Sequence, residues 1–298
     1  MLLHWKPNLP ASALHAADRL LRGQPVADEN VRAALAPSAA QLLAEIRGLP
    51  GVSAERFLAT LASLAAAFDN RRDWAEVALA KTIGPDQAIS RVLPLMGRLA
   101  DLEQALQNAL PNLLEQLALR AQPLREQWEA RGPGLLAGIG RRTEKGLIAS
   151  EADVILVYPV SGGGGRAHGL YNTVRIEAVL ADSDPNLPEI VRLGWLLAQL
   201  DLDLPDDRGH GFRERADFLG GLALLPPVLA AAEEVELARC DLPSLNAALL
   251  FWDCLGPTPA SADAVAALAD KVFVWWKTYQ ATRPRWSVAL AALDRMLS

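Results

Sequence analysis

The chain has 298 residues, 51% of them hydrophobic and 21% charged, with a formal net charge of −6 and a mean hydropathy of +0.13. That much apolar material builds a large core, in one domain or in two closely packed ones. A mildly acidic chain without a long basic run is a poor candidate for a duplex-binding protein, because phosphate neutralisation supplies most of that affinity.

The locally basic stretch Arg120 to Lys145 is diluted by Glu115, Glu126, Glu129 and Glu144 and reads as a solvated helix face. The start, MLLHWKPNLPASALH, lacks the apolar segment of a secretory signal. Every long apolar candidate is broken by Pro, Arg or Asp, so no membrane span is expected. Cys240 and Cys254 form no CxxC pair and cannot staple a fold of this size. A reducing, cytoplasmic setting is the economical expectation. The heavy use of Ala, Leu, Arg and Pro suits a high-GC bacterial genome.

Taken in order, Ala11 to Arg22 has helical spacing and ends at Gly23 and Pro25. Ser38, with Gln41 three residues on, reads as a capping box for a second helix. Ser53 starts a stronger one, with Phe57, Leu58, Leu61, Leu64, Ala65 and Phe68 on one face. Trp74 to Lys81 follows. A long amphipathic helix from Asp86 is expected to be interrupted near Pro94 and Gly97. The next, opened by Pro111, is expected to kink at Pro123 and to end at Arg131-Gly-Pro-Gly134. No constant period marks a solenoid.

The pattern changes after Gly146. The run near 154–160, VILVYPV, is apolar, rich in β-branched residues and bounded by glycines, as in a strand buried on both faces. The segment 172–180 alternates: Val174, Ile176, Ala178 and Leu180 face one way, Thr173, Arg175 and Glu177 the other. That reads as a half-buried strand near a sheet edge. Asn186, Pro188 and Glu189 have the spacing of a helix start. The helix Ile190 to Leu200 is apolar except for a narrow polar stripe, Glu189, Arg192 and Gln199, and belongs in the middle of the fold. Helices are expected over Phe212 to Leu225, halted by Pro226-Pro227, over Val228 to Arg239, over Ser244 to Leu255, from a Ser261 cap onward, and over Trp286 to Leu297. The expected class is α+β, mostly α: a helical region 1–142, then an α+β region 143–298 with a small sheet, a buried central helix and a helical C-terminal part, the two regions forming one compact unit.

The glycine loop Ser161 to Gly165 contains G-x-G-x-x-A, but a second strand follows within a few residues. No crossover helix can then aim its N-terminal amides at a pyrophosphate, and no Gly-Lys-Ser/Thr completes a phosphate loop. A mobile strand connection is the simpler reading. There is no G-x-S-x-G nucleophile and no H-x-x-x-H ligand pair. His15 reads as an ordinary surface residue. Trp275, Trp276 and Trp286 read as core, with an exposed partner surface as the alternative.

The polar set Arg166, His168, Tyr171, Asn172, Arg175 and Glu177 is the best candidate for a groove along the 172–180 strand, binding a protein or peptide. A wet sheet face is the plainer account of the same residues. His210, beside Asp201, Asp203, Asp206 and Asp207, joins His168 in an alternative reading: an enzyme, or a small-ligand or divalent-metal site at the loop 161–165. No cofactor or metal ligand is assigned, neither nucleic acid nor membrane is expected as a partner, and the apolar helices leave room for a homodimer.

Over 147–200 the order of elements resembles the zincin-like metallopeptidases: a helix, a buried strand, a glycine-containing loop, an edge-like strand and a buried helix. In that family the last helix carries H-E-x-x-H, whose histidines bind zinc and whose glutamate activates water, and the edge strand aligns the substrate peptide. Here the helix, Pro188-Glu-Ile-Val-Arg-Leu-Gly-Trp-Leu-Leu-Ala-Gln-Leu200, has no histidine. The resemblance therefore implies a degenerate, non-catalytic domain that works by interaction.

Overall fold

A computed structural model describes residues 1–68, 70–143, 148–160, 162–201, 210–252, 254–255 and 261–298, the side chains of 210–214 and 216 excepted. The fold is α+β and 69% helical, with one small four-stranded mixed sheet. Among the described residues no helix is long and apolar enough to cross a membrane.

The sheet begins where no strand is expected. Leu2–Pro7 is strand β1; Leu2, His4 and Lys6 are exposed, and Leu3, Trp5 and Pro7 are half-buried against the core. Seven helices follow: α1 (Leu9–Leu21), α2 (Glu29–Arg47), α3 (Ala54–Ala67), α4 (Arg71–Ile83), α5 (Pro85–Ala109), α6 (Leu113–Arg120) and α7 (Gln122–Arg142). Three strands then complete the sheet, β2 (Glu151–Val157), β3 (Gly165–His168) and β4 (Thr173–Glu177). The order is β1-β2-β4-β3, with β1, β2 and β4 parallel and β3 antiparallel to β4. The N-terminal helical region thus contributes an outer strand, and one apolar core runs from Ala13 to Leu293. The remaining helices are α8 (Glu189–Leu197), α9 (His210–Glu234), α10 (Leu242–Phe251), α11 (Ala262–Thr282) and α12 (Trp286–Leu297).

Two expectations about the strands are corrected. The second strand occupies 173–177, not 172–180, and it is no edge: β4 pairs with β2 on one side and β3 on the other. All five of its residues are buried. The first apolar run starts earlier than expected, at Glu151, because β1 extends the ladder from Leu2↔Glu151 onward.

The predicted breaks at proline are corrected as well. Pro94 lies inside α5, Pro133 inside α7, and Pro226 and Pro227 inside one continuous α9. An internal proline costs roughly 3 kcal/mol or more in an isolated helix. In α9 that cost is opposed by burial of Leu219 and nearly every residue from Leu222 to Ala232, each large apolar side chain contributing roughly 1.5–3 kcal/mol. The interruption expected at Pro123 is present: α6 ends at Arg120 and α7 starts at Gln122, with Pro123 in its first turn, where it breaks no hydrogen bond. Ser38 lies inside α2, whose actual cap is Asp28, its side chain accepting from the amides of Asn30 and Val31. Ser261 caps α11 as expected. Trp275, Trp276 and Trp286 are buried, and Trp275 Nε1 donates to Ala289 O at 2.8 Å, tying α11 to α12.

Candidate functional site

Strand alternation divides the sheet into two faces. Val154, Leu156, Val174 and Ile176 join the main apolar core. On the other face Ile155 and Val157 pack with Ala11 of α1 and Ala66 of α3. Thr173, Arg175 and Glu177 continue that second face, and they too are buried. α1 and α3 therefore close over a layer that is apolar under β2 and polar under β4.

Two histidines fill this layer. His15 is 2% exposed, which overturns its reading as a surface residue, and its Nε2 lies 2.7 Å from Glu177 Oε1. Burial lowers its pKa below the ordinary 6.5, against the opposing pull of Glu177. A neutral ring donating from Nε2 to the carboxylate fits this setting. His168 is buried at the far end of β3, where Nδ1 meets Ser63 Oγ at 2.8 Å. The hydroxyl of Ser63 also reaches Ala59 O at 3.1 Å, so its one proton goes there and His168 Nδ1–H donates to it. Burial holds the His168 pKa well below the usual range, with Arg175 and Arg166 adding to the effect. Between them lies Arg175, 7% exposed, its basicity reduced to about 10 by burial.

The glycine loop is seated, not free. Gly163 N donates to Glu177 Oε2 at 2.7 Å, and Ser183 Oγ donates to Gly162 O. A Cβ on Gly164 would stand 3.0 Å from Arg19 Nη2 and 3.3 Å from Glu177 Oε1. A Cβ on Gly163, where φ is +138°, would stand 2.6 Å from Arg192 Nη1 and 2.9 Å from Ser183 Oγ. Glycines are used here because backbone must approach buried charges closely. Gly163→Ala is expected to lose roughly 2 kcal/mol, from strain at positive φ and displacement of Arg192. Urea unfolding monitored by tryptophan fluorescence measures it; a midpoint equal to wild type would count against a tightly seated loop.

Beneath the loop, the first turn of α8 carries an ion pair: Arg192 Nη1 lies 3.2 Å from Glu189 Oε2, each residue 2% exposed. Asn186 does not cap this helix. Pro188 is the N-cap, and Asp182 Oδ1 accepts from Glu189 N at 2.8 Å. Arg192 also donates to Phe251 O at 3.3 Å and lies over the Trp252 ring at 6.0 Å. Burial raises the Glu189 carboxyl to about 7, against the attraction of Arg192.

The network of His15, Arg19, Gly163, Glu177, Glu189 and Arg192 lies at the carboxyl ends of the parallel strands, a common position for ligand sites in open α/β sheets. Of the candidates read from sequence, Glu177 and, from the loop 161–165, Gly163 belong to it among the described residues. His168 pairs with Thr173 and Gly165 with Ile176, which separates His168 from the loop by about 10 Å of strand. The loop and His168 therefore do not form one pocket. The side chain of His210 and most of the acidic stretch around it lie outside the described residues, as does residue 161. Arg166 is exposed on the outer strand. Tyr171 meets Phe68 edge-to-face at 5.6 Å and accepts from Lys81 at 3.4 Å. Asn172 takes a left-handed φ of 51° and donates to Glu151 O, a turn role.

The residues that sequence reasoning does not assemble are His15, Arg19, Ser63, Glu189 and Arg192. The usable signal was Glu189 and Arg192 at i, i+3 on a helix otherwise wholly apolar. Among the described residues no three His, Cys, Asp or Glu side chains converge as a metal ligand set. No protein-family model, curated protein or solved structure matches the chain.

Proposed function

We propose that this chain is a non-catalytic binding protein of zincin-like layout, in which a buried salt bridge stands where that family holds zinc. One observation carries the reading. Pro188-Glu-Ile-Val-Arg192 has the register of H-E-x-x-H, with proline and arginine at the two histidine positions and Glu189 at the glutamate position. The guanidinium of Arg192 is permanently charged and offers no lone pair to a metal. It neutralises Glu189 from the place where a ligand would reach zinc. The element order supports the same layout: an antiparallel outer strand, β3, beside a parallel strand that leads into a buried helix.

With β4 flanked on both sides, the expected peptide-binding edge moves to β3, which has β4 as its one strand neighbour among the described residues. An extended partner segment would add there by main-chain hydrogen bonds, with exposed Arg166 favouring acidic side chains. The test is to incubate purified protein with excess zinc, dialyse it, and measure bound metal and hydrolysis of quenched peptides. The expected result is sub-stoichiometric zinc, no hydrolysis, and capture of acidic extended peptides that is lost in Arg166→Glu. Equimolar zinc with hydrolysis that disappears in Glu189→Gln would overturn the proposal.

A further inference from the structure

We propose that the cleft between the first turns of α7 and the connection from β4 to α8 binds a primary ammonium group carried on an apolar stem. The cleft has a volume of about 40 Å³ and is lined by Leu124, Gln127, Val179, Leu180, Asp182 and Glu189, among others. It lies beside the buried network but does not depend on the zincin-like reading.

Four features define the ligand. Glu189 is 2% exposed, yet neither of its carboxyl oxygens has a hydrogen-bond donor. Buried polar atoms are nearly always satisfied; Oε2 has only the ion pair with Arg192, and Oε1, with no partner, calls for a donor from outside. Charge sets the sign. Once Glu189 is ionised, above about pH 7, Asp182 and Glu189 bring two carboxylates and Arg192, 3.2 Å from Glu189 Oε2, brings one cation, which leaves one negative charge for a monocation. Size sets the head group, because this volume suits a compact ammonium better than a planar guanidinium. The walls set the stem: Leu180 is 59% exposed at the mouth, and Leu124 and Val179 supply further apolar surface. Gln127, also in the lining, adds an amide oxygen as a further acceptor beside the two carboxyl groups.

Titration calorimetry with n-butylammonium, n-butanol and tetramethylammonium tests this on the full chain. Saturable binding of n-butylammonium alone is expected, weakened at least tenfold in both Glu189→Gln and Asp182→Asn, with circular dichroism confirming that each variant is folded. Two further probes locate the natural source of the amine: a leucyl-alanine amide, free or acetylated at its N-terminus, and Nα-acetyl-lysine amide. Preference for the free dipeptide or for the lysine derivative supports the proposal and assigns the ammonium to a chain terminus or a side chain. Equal binding of tetramethylammonium or butanol, retention of affinity in both variants, or no saturable binding by any amine overturns it.

Discussion

Replacing Arg192 by leucine is expected to destabilise the fold by about 3–5 kcal/mol at alkaline pH, the usual cost of removing one partner from a buried ion pair. The loss combines three contacts: the salt bridge to Glu189, the hydrogen bond to Phe251 O and the position over Trp252. The greater part comes from Glu189, whose carboxyl, already raised to about 7 with Arg192 in place, is ionised at alkaline pH in an apolar setting without its counter-charge. The double variant Arg192→Leu with Glu189→Gln should therefore recover most of the loss. Urea unfolding of both variants measures the difference. As a control, Arg32→Leu removes an exposed pair with Glu29 and should leave the midpoint unchanged. Equal midpoints for the single and double variants would mean that packing, not charge, dominates at this position.

Glu189→Gln on its own should act in the opposite direction, and only at high pH. The carboxyl of Glu189 moves from the ordinary 4.5 to about 7 on folding. Between those values the folded chain holds a proton that the unfolded chain has released, so stability falls as pH rises through this window. Above it the penalty is complete, at about 3 kcal/mol. The variant should thus match wild type near pH 4.5 and exceed it by about that amount at pH 8. The buried histidines contribute with the reverse sign: His15 and His168 have lowered pKa values, so their contribution is full above 6.5 and is lost as pH falls toward their folded values. Unfolding free energies at several pH values separate the two, because only the high-pH arm responds to Glu189→Gln.

Part of this architecture was legible in the residue order. The helical periodicity of α1, α3 and α11 survives in the structure because each helix buries a face against its neighbours, and the apolar run of β2 is a strand buried on both sides. Other features were hidden for physical reasons. Proline reads as a break in an isolated helix, but inside α9 burial outweighs the lost hydrogen bonds. Alternation along β4 reveals two faces but not what covers each one; Glu177 meets His15 and the Gly163 amide, and Arg175 is buried in the same layer, not in water. The stripe of Glu189 and Arg192 resembles a solvent face because pairing across one turn leaves no mark on hydropathy. His15 and Glu177 are 162 positions apart, and no local pattern connects them.

The place of β1 has a consequence for how the chain is made. Its neighbour in the sheet, β2, is synthesised about 150 residues later. At translation rates of roughly 5–20 residues per second, the first strand waits on the order of ten seconds or more for its partner. During that time its hydrogen-bonding edges are open to other nascent chains. His4 and Lys6 interrupt the apolar positions, and Pro7 ends the strand, which makes the waiting segment a poor template for aggregation. The helices made in between can collapse first, so the order of synthesis favours a helical intermediate onto which the sheet closes last.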